Sequence, residues 1–195
     1  MKNAFFREGG KVHHMHPIQH FKTVYEHRKL VREHCFKLGL YRQGIMHDLS
    51  KYSPVEFWRG AKYYQGNRSP NNKEREVTGH SMAWLHHKGR NKHHFEYWID
   101  YIINEDGSVG FGGNRMPKRY IAEMFCDRVA ACKVYLGDEY TDASAYDYYM
   151  KGTGKRVGPL IHPDTAAELE KMLLKLKEEG EEAAFEYVRN WLKEK

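Results

Sequence analysis

The sequence reads Gly44-Ile45-Met46-His47-Asp48-Leu49-Ser50-Lys51 in its most informative stretch, where an imidazole and a carboxylate follow a short apolar run. Adjacent imidazole and carboxylate groups can together bind a divalent metal ion. Two other residues could complete such a site: His27, 20 residues before His47, and Asp127, far downstream. The chain therefore carries candidate metal ligands in the order His, His-Asp, Asp.

Two long predicted helices carry the outer members of this set. Pro17 suits a first helical turn, and one face then repeats at spacings of three and four until Gly39: His20, Val24, His27, Val31, His34 and Leu38. Pro117 opens a second helix, predicted to end near Leu136, in which Asp127 is the only charge on an apolar stripe. Histidine on a core-facing stripe costs desolvation energy unless something pairs with it, and a metal ion is one such partner.

The remaining segments also favour helices, and strand signals are weak. Ser53-Pro54-Val55-Glu56 has the pattern of a capping box, with serine at the N-cap and glutamate three residues later. The sequence therefore predicts an all-α bundle. Besides the two long helices, its predicted segments are helices at 43–48, 54–64, 73–87, 93–103 and 144–150, a glycine-rich loop or small hairpin at 104–114, a helix at 163–179 broken by Gly180, and a last helix.

Length and composition favour one domain. The chain has 195 residues, of which 41% are hydrophobic and 14% aromatic, enough to build one packed core. Residues 1–15 are polar and lack a clear period, which predicts a flexible N-terminal arm. Residues 16–195 are predicted to form a single helical domain, with its core at about 17–136 and C-terminal helices at 160–195.

The net charge of +6 favours phosphate-bearing partners, although scattered charges are also typical of a solvated basic surface. No apolar run reaches the ~18 residues that span a bilayer, and no secretory signal is recognisable. The three cysteines form no CxxC pair, which is typical of a reduced compartment. We therefore expect a cytoplasmic protein without membrane contact. Without a recognition motif or a dense basic run, no specific nucleic-acid binding is expected.

A histidine-rich segment between the two long helices offers four more imidazoles: His86-His87-Lys88-Gly89-Arg90-Asn91-Lys92-His93-His94. Two helices that meet at a turn could direct His87 and one of His93 and His94 to the same point. We favour His87 and His94 as ligands of a second metal. Which of His80, His86, His87, His93 and His94 bind metal stays open on the sequence, because each taken singly could be a surface residue.

The order and surroundings of these residues resemble the HD-domain metal-dependent phosphohydrolases. The stretch "HDLSK" at 47–51 is similar to the "HDIGK" type of sequence in that superfamily, and "MFCDRVAA" around Asp127 resembles its late helix. The pattern "HH…N.HH..YW" is similar to an uncharacterised HD-like family within the superfamily. The resemblance covers roughly residues 20–135. It implies an HD-domain-like helical bundle with His27, His47, Asp48 and Asp127 as its primary metal ligands.

The resemblance also implies a function. The chain would be a metal-dependent phosphohydrolase that acts on a small phosphoester, for example a nucleotide, through a metal-activated water. One or two divalent ions would be bound, and Mn, Fe, Co, Ni, Zn and Mg all stay open. Asp48 and Lys51 are the expected catalytic residues, with Asp48 helping to position the water. Lys51, Arg90 and Lys92 are the expected contacts to substrate phosphate, since cations neutralise its developing charge.

Other interpretations of the same residues stay open. Some HD-fold proteins hold two irons and activate O₂, and the extra histidines here suit such a di-iron oxygenase. A catalytically inactive metal-binding module is the third possibility. Individually, His27 could be a hydrogen-bonded core histidine, Asp48 a helix-end residue, and Asp127 half of a structural ion pair. Glu123, one turn before Asp127, could orient a ligand, act as a base or be solvated.

Overall fold

The computed structural model describes residues 5–8, 11–103, 106–152 and 160–194. Within these residues lie eight α-helices and two antiparallel two-stranded hairpins, so the predicted mostly α-helical class is confirmed. The helices are α1 (Pro17–Lys37), α2 (Tyr41–Met46), α3 (Pro54–Lys62), α4 (Pro70–Thr78), α5 (Met82–Lys88), α6 (Lys118–Leu136), α7 (Ser144–Lys151) and α8 (Pro163–Lys193). The strands are β1 (Phe5–Glu8), β2 (Lys11–His14), β3 (Ile99–Ile103) and β4 (Val109–Gly113).

The core lies between α1, α6 and α8. Helix α1 packs against α6 on one side and against α2 and α3 on another, while α8 covers α6 together with α7. The periodic face of α1 is buried as its spacing predicts, from His20 to Leu38. Helix α6 is buried on most of its circumference, because it has neighbours on several sides. Both long helices are therefore held rigidly, and residues that they carry have fixed positions.

The two hairpins differ from the predicted structure. Residues 93–103 were predicted to be helical, but a short 3₁₀ helix at Phe95–Trp98 is followed by β3, which pairs with β4 in the expected hairpin segment. β-branched residues in β3 favour a strand, and the glycines of β4 disfavour a helix. In the predicted N-terminal arm, β1 pairs with β2. Residues 1–4, 9–10 and 104–105 of these segments lie outside the described residues.

The predicted helix at 73–87 is also wrong, because two helices occupy this segment. Helix α4 ends before Gly79, whose φ of 80° is left-handed, and α5 begins after Ser81. The Ser81 hydroxyl accepts a hydrogen bond from the Trp84 backbone at 3.0 Å and thereby caps α5. Glycine at the end of α4 stops that helix. The break gives α5 its own direction, and α5 carries His87.

Helix α8 confirms the predicted break at Gly180, where φ is 85° and ψ is 175°. The following residue, Glu181, ties three helices together: its carboxylate pairs with Lys37 of α1 at 2.8 Å and with Lys133 of α6. Within the described chain, no helix has the length and apolar character needed to cross a membrane.

Candidate metal centre

A first cluster of buried side chains gathers four predicted ligands from three elements: His27 from α1, His47 and Asp48 after α2, and Asp127 from α6. Their candidate ligand atoms all lie within 4.8 Å of one another. The Asp127 Oδ1 atom lies 3.0 Å from Nε2 of His27 and 3.3 Å from Nε2 of His47. Burial by itself would raise the pKa of Asp127, but hydrogen bonds from these two imidazoles hold it well below its ordinary value. We call this cluster the first group.

A second cluster shares Asp48 and adds His87, His93 and His94, again with ligand atoms within 4.8 Å. The Nε2 atoms of His87 and His94 face each other at 2.9 Å. The predicted pair of His87 and His94 is thus brought together, and the structure adds His93, which is buried. Sequence reasoning did not choose His93 because its orientation depends on a turn rather than on a helical face. We call this cluster the second group.

Asp48 belongs to both groups, and each of its oxygens faces one of them. Its Oδ2 atom lies 3.4 Å from Nε2 of both His27 and His47. Its Oδ1 atom lies 3.2 Å from Nε2 of His87 and 3.4 Å from Nε2 of His93. A carboxylate in this position can bridge two metal ions. The fully buried Asp48 side chain is therefore the geometric centre of the site.

The backbone at Asp48 has an unusual conformation. Its φ of 53° and ψ of 24° are left-handed, and it is the only described non-glycine residue with positive φ. Aspartate tolerates this region better than most residues. Arg28 of α1 supports the segment from outside, because its Nε donates to the His47 carbonyl at 2.8 Å and its Nη2 to the Ile45 carbonyl at 3.1 Å. Strained backbone of this kind is typical of functional sites.

The turn after α5 is held by Asn91. Its side-chain amide donates to the His87 carbonyl at 2.8 Å and to the Ser50 hydroxyl at 2.8 Å. One bond closes the turn on α5, and the other joins it to the segment that follows Asp48. His93 and His94 come directly after this turn, so Asn91 sets where their imidazoles lie relative to Asp48.

Two buried glutamates orient the imidazoles. A single oxygen of Glu123 accepts from Nδ1 of His47 at 2.9 Å and lies 3.2 Å from Nδ1 of His93. Glu56 accepts from Nδ1 of His87 at 2.7 Å with one oxygen and from Nδ1 of His86 at 2.6 Å with the other. Carboxylates that bind Nδ1 leave Nε2 directed at the metal, which is the usual arrangement around metal-binding histidines.

The role of Glu56 differs from its predicted role in a capping box. The serine half of the prediction is confirmed, since the Ser53 side chain accepts from the backbone amide of Glu56. The Glu56 carboxylate instead points toward the histidines of α5. A local sequence pattern cannot show this, because the partner histidines are about 30 residues away in the chain. For Glu123, the structure supports the interpretation as an orienting residue.

The electrostatics of the cluster keep Asp48, His93 and His94 in metal-binding form, whereas the carboxylates around His47 and His87 outweigh burial and raise the pKa of these two imidazoles, which must release a proton when a metal binds. Burial alone would raise the pKa of Asp48, but the neighbouring charges of His47 and Lys51 hold it well below its ordinary value. Burial lowers the pKa of His93, and the charge of His47 lowers it further. Burial and the charge of His93 hold the pKa of His94 well below its usual range. Ionised aspartate and neutral imidazole are the protonation states that bind divalent metals.

Two buried atoms at the centre of the site are suited to bind a metal ion. Within the described part of the chain, Oδ1 of Asp48 and Nε2 of His93 are buried and make no hydrogen bond. Buried polar atoms are rarely left so, because each costs about 1–3 kcal/mol. Both atoms are directed at the second group, where a cation would satisfy them. The donor set thus fits divalent metal binding.

The predicted substrate contacts lie in different surroundings. Lys51 is near the centre: its Nζ lies 2.6 Å from Oδ2 of Asp48, and its side chain is 29% exposed. Arg90 is exposed and donates to the carbonyl of His86. Lys92 is exposed and lies over the Tyr97 ring at 5.5 Å. The geometry brings only Lys51 to the ligand groups, and the other two stay predictions.

Several other predicted or alternative residues stand apart from the groups. His80 is exposed, between α4 and α5, while His86 is engaged by Glu56. His20 and His34 share the α1 face with His27 but lie elsewhere in the protein. His20 contacts the ring of Phe57, and His34 packs against Phe185. The three cysteines are buried and unpaired, as predicted: Cys35, Cys126 and Cys132.

We expect acid to destabilise the fold through two buried histidines, His20 and His34. Burial, reinforced by Lys51, lowers the pKa of His20 to about 4, and burial, reinforced by Lys133, lowers that of His34 to about 4. Unfolding restores the ordinary value of 6.5, so the unfolded state takes up protons first as pH falls. The stabilisation is present above pH 6.5 and is lost between pH 6.5 and 4, up to about 3 kcal/mol for each residue.

Urea unfolding from pH 7.5 to 4, with a chelator present to remove metal effects, measures this loss. His34→Gln should flatten the profile, whereas the exposed His80→Gln should leave it unchanged. Equal profiles for His34→Gln and the unmodified protein would mean that His34 does not carry the predicted effect.

The structure thus defines a mostly α-helical protein with buried His, Asp and Glu clusters that could hold a divalent metal ion. The chain belongs to a family of unknown function, DUF5662, whose sequence pattern matches residues 16–175. That range contains every residue of both ligand groups and both orienting glutamates. No curated protein and no solved structure matches the chain.

Proposed function

We propose that this protein is a metal-dependent phosphohydrolase of the HD-domain type that acts on a small phosphoester. The observation that carries the proposal is the position of Asp48. One of its carboxylate oxygens faces each of the two histidine-containing groups. Four parts of the chain supply residues around Asp48: α1, the segment after α2, α5 with the turn that follows it, and α6. The resemblance of residues 47–51 and of the Asp127 helix to HD sequences supports the same assignment.

Two groups joined by one carboxylate suit phosphoester hydrolysis. When bound, a pair of divalent ions lowers the pKa of water and neutralises charge on phosphate oxygens. His27, His47, Asp48 and Asp127 would hold one ion. Asp48, His87, His93 and His94 would hold the other, with Glu123 and Glu56 fixing the imidazoles.

Lys51 supplies the nearest cation to this centre. Burial alone would lower the pKa of Lys51, but the charge of Asp48 raises it, so the ammonium stays protonated throughout the physiological range. Its side chain is partly exposed while its Nζ contacts Asp48. Lys51 can therefore meet a phosphate oxygen of a substrate that enters from solvent. Arg90 and Lys92 are further candidates for contact with a larger substrate.

Phosphate release from a panel of nucleotides and p-nitrophenyl phosphate tests the proposal, with protein loaded separately with Mn, Fe, Co, Ni, Zn or Mg. At least one metal form should hydrolyse at least one substrate. Lys51→Met should lower kcat by about 100-fold, because it removes one cation that faces the developing phosphate charge. Metal content of this variant should be unchanged, since Lys51 is not among the ligands.

The matched control is Lys22→Met, which removes an exposed lysine from α1. An unchanged kcat for Lys51→Met would remove Lys51 from the proposed chemistry. Absence of phosphate release from every substrate in every metal form would contradict the hydrolase proposal. Bound metal without any turnover would then favour the alternative of a metal-binding module.

The second group favours one other function. Its three imidazoles and one carboxylate suit iron as a ligand set, as in a di-iron oxygenase. Oxygen consumption by iron-loaded protein, measured with the same substrates, separates the two activities. Phosphate release at an equal rate without O₂ favours the phosphohydrolase, whereas O₂-dependent product formation favours the oxygenase.

A further inference from the structure

A groove between α1 and α2 lies outside the metal centre, and we call it the α1–α2 groove. Its cavity volume is about 320 Å³. This volume is at the lower end of the range for small-molecule sites, about 300–1,000 Å³. The groove is lined by Tyr25, Arg28, Lys29, Arg32, Gly44, Ile45 and Leu49.

One wall of the α1–α2 groove is cationic. Arg28, Lys29 and Arg32 line the groove from α1, and Arg32 lies four residues after Arg28 and three after Lys29, so it neighbours both. Lys29 and Arg32 make no hydrogen bond or ion pair with any described side chain. Glu26 and Glu33 lie three residues before and four residues after Lys29, but neither makes an ion pair with it in the described structure. Arg28, Lys29 and Arg32 carry like charges that repel one another, and an anion in the groove would relieve this repulsion.

Arg28 is fixed in place. Its guanidinium binds two backbone carbonyls and lies over the Tyr52 ring at 5.1 Å. A fixed guanidinium loses little further entropy when it binds an anion. Because its carbonyl partners are Ile45 and His47, the groove lies on the outer side of the segment that carries Asp48.

The opposite wall of the α1–α2 groove is apolar. Ile45 and Leu49 are 55% and 43% exposed, and Tyr25, which also lines the groove, is 52% exposed. Exposed apolar residues that are grouped beside charges are typical of ligand sites rather than of solvated surface. The ligand should therefore carry an apolar or aromatic body as well as an anionic group.

We infer that the α1–α2 groove binds a small phosphate monoester with an apolar or aromatic body, of the size of a nucleoside monophosphate. The phosphate lies against Lys29 and Arg32, with Arg28 at the base, and the organic body lies on Ile45 and Leu49. This site is separate from the metal centre, since His27 stands on the buried face of α1 and the groove lies on the exposed face. It does not depend on the proposed hydrolase activity.

Isothermal titration calorimetry with adenosine 5′-monophosphate tests the inference, on the full chain with a chelator present so that metals contribute nothing. Binding should be measurable, and inorganic phosphate and adenosine should each bind at least about tenfold more weakly, because each offers only half of the ligand. Lys29→Glu/Arg32→Glu should weaken binding of the monophosphate at least about tenfold, because it reverses both unpaired charges.

The matched control is Lys22→Glu/Lys193→Glu, which makes the same change in net charge at two exposed lysines outside the groove. The control variant should bind like the unmodified protein. No measurable binding would overturn the inference, and so would binding that Lys29→Glu/Arg32→Glu leaves unchanged. Binding that appears only when a divalent metal replaces the chelator would place the ligand at the metal centre instead and would also overturn it.

Discussion

Asp48→Asn is expected to abolish metal binding at both ligand groups. Asparagine keeps the shape of the side chain and tolerates left-handed backbone, so the fold should survive the change. It removes the negative charge that both groups share and leaves at most one oxygen to bind metal. We expect metal content to fall from about two equivalents to near zero, with affinity reduced more than about 100-fold at each group.

Elemental analysis and calorimetric titration with a divalent metal measure this effect. Asp127→Asn is the matched control, because Asp127 belongs to the first group alone. That variant should lose about one equivalent and keep the second group intact. Retention of both equivalents by Asp48→Asn, with circular dichroism unchanged, would contradict the bridging role of Asp48.

Glu123→Gln is expected to weaken metal binding at both groups by about 10- to 100-fold. One Glu123 oxygen contacts His47 of the first group and His93 of the second. Glutamine offers these imidazoles no negative charge and can turn its amide toward them, so both rings lose their orientation. Glu56→Gln should weaken only the second group, because Glu56 contacts His87 and His86.

Two-site calorimetric titrations of both variants distinguish these outcomes. Glu181→Gln is the control: it removes a carboxylate that pairs with Lys37 and Lys133 far from the ligands. It should lower the free energy of unfolding without changing metal affinity. If Glu123→Gln lowered affinity at one group only, Glu123 would not link the two groups.

The structure brings together the four residues that the sequence predicted as primary ligands, and two of them, His27 and Asp127, lie on regular helices. His27 follows from a helical period that holds over the whole of α1, and Asp127 from its isolation on an apolar stripe of α6. His47 and Asp48 follow from their adjacency. These patterns are local in the chain, so the packing of distant elements does not change them. For the same reason the period of α1 predicted a buried face that the structure contains.

The second group was predicted only in part. His93 comes after a turn that depends on Asn91 and Ser50, which are 41 residues apart in the chain. The role of Glu56 likewise depends on histidines of another helix. Residues 104–114 were predicted to be a loop or a small hairpin, but β3 lies before them, in residues that were predicted to be helical. The structure of such segments depends on contacts with residues that are distant in the chain, and a single sequence does not show which residues these are.

The sharing of ligands among distant segments has a thermodynamic consequence. An unfolded chain separates His27, Asp48, His94 and Asp127, so only the folded state offers a complete set of donors. Metal binding and folding are then linked equilibria: each tenfold rise in free metal above the dissociation constant adds about 1.4 kcal/mol per ion to the free energy of unfolding. The melting temperature of this protein should therefore follow the metal supply of its surroundings.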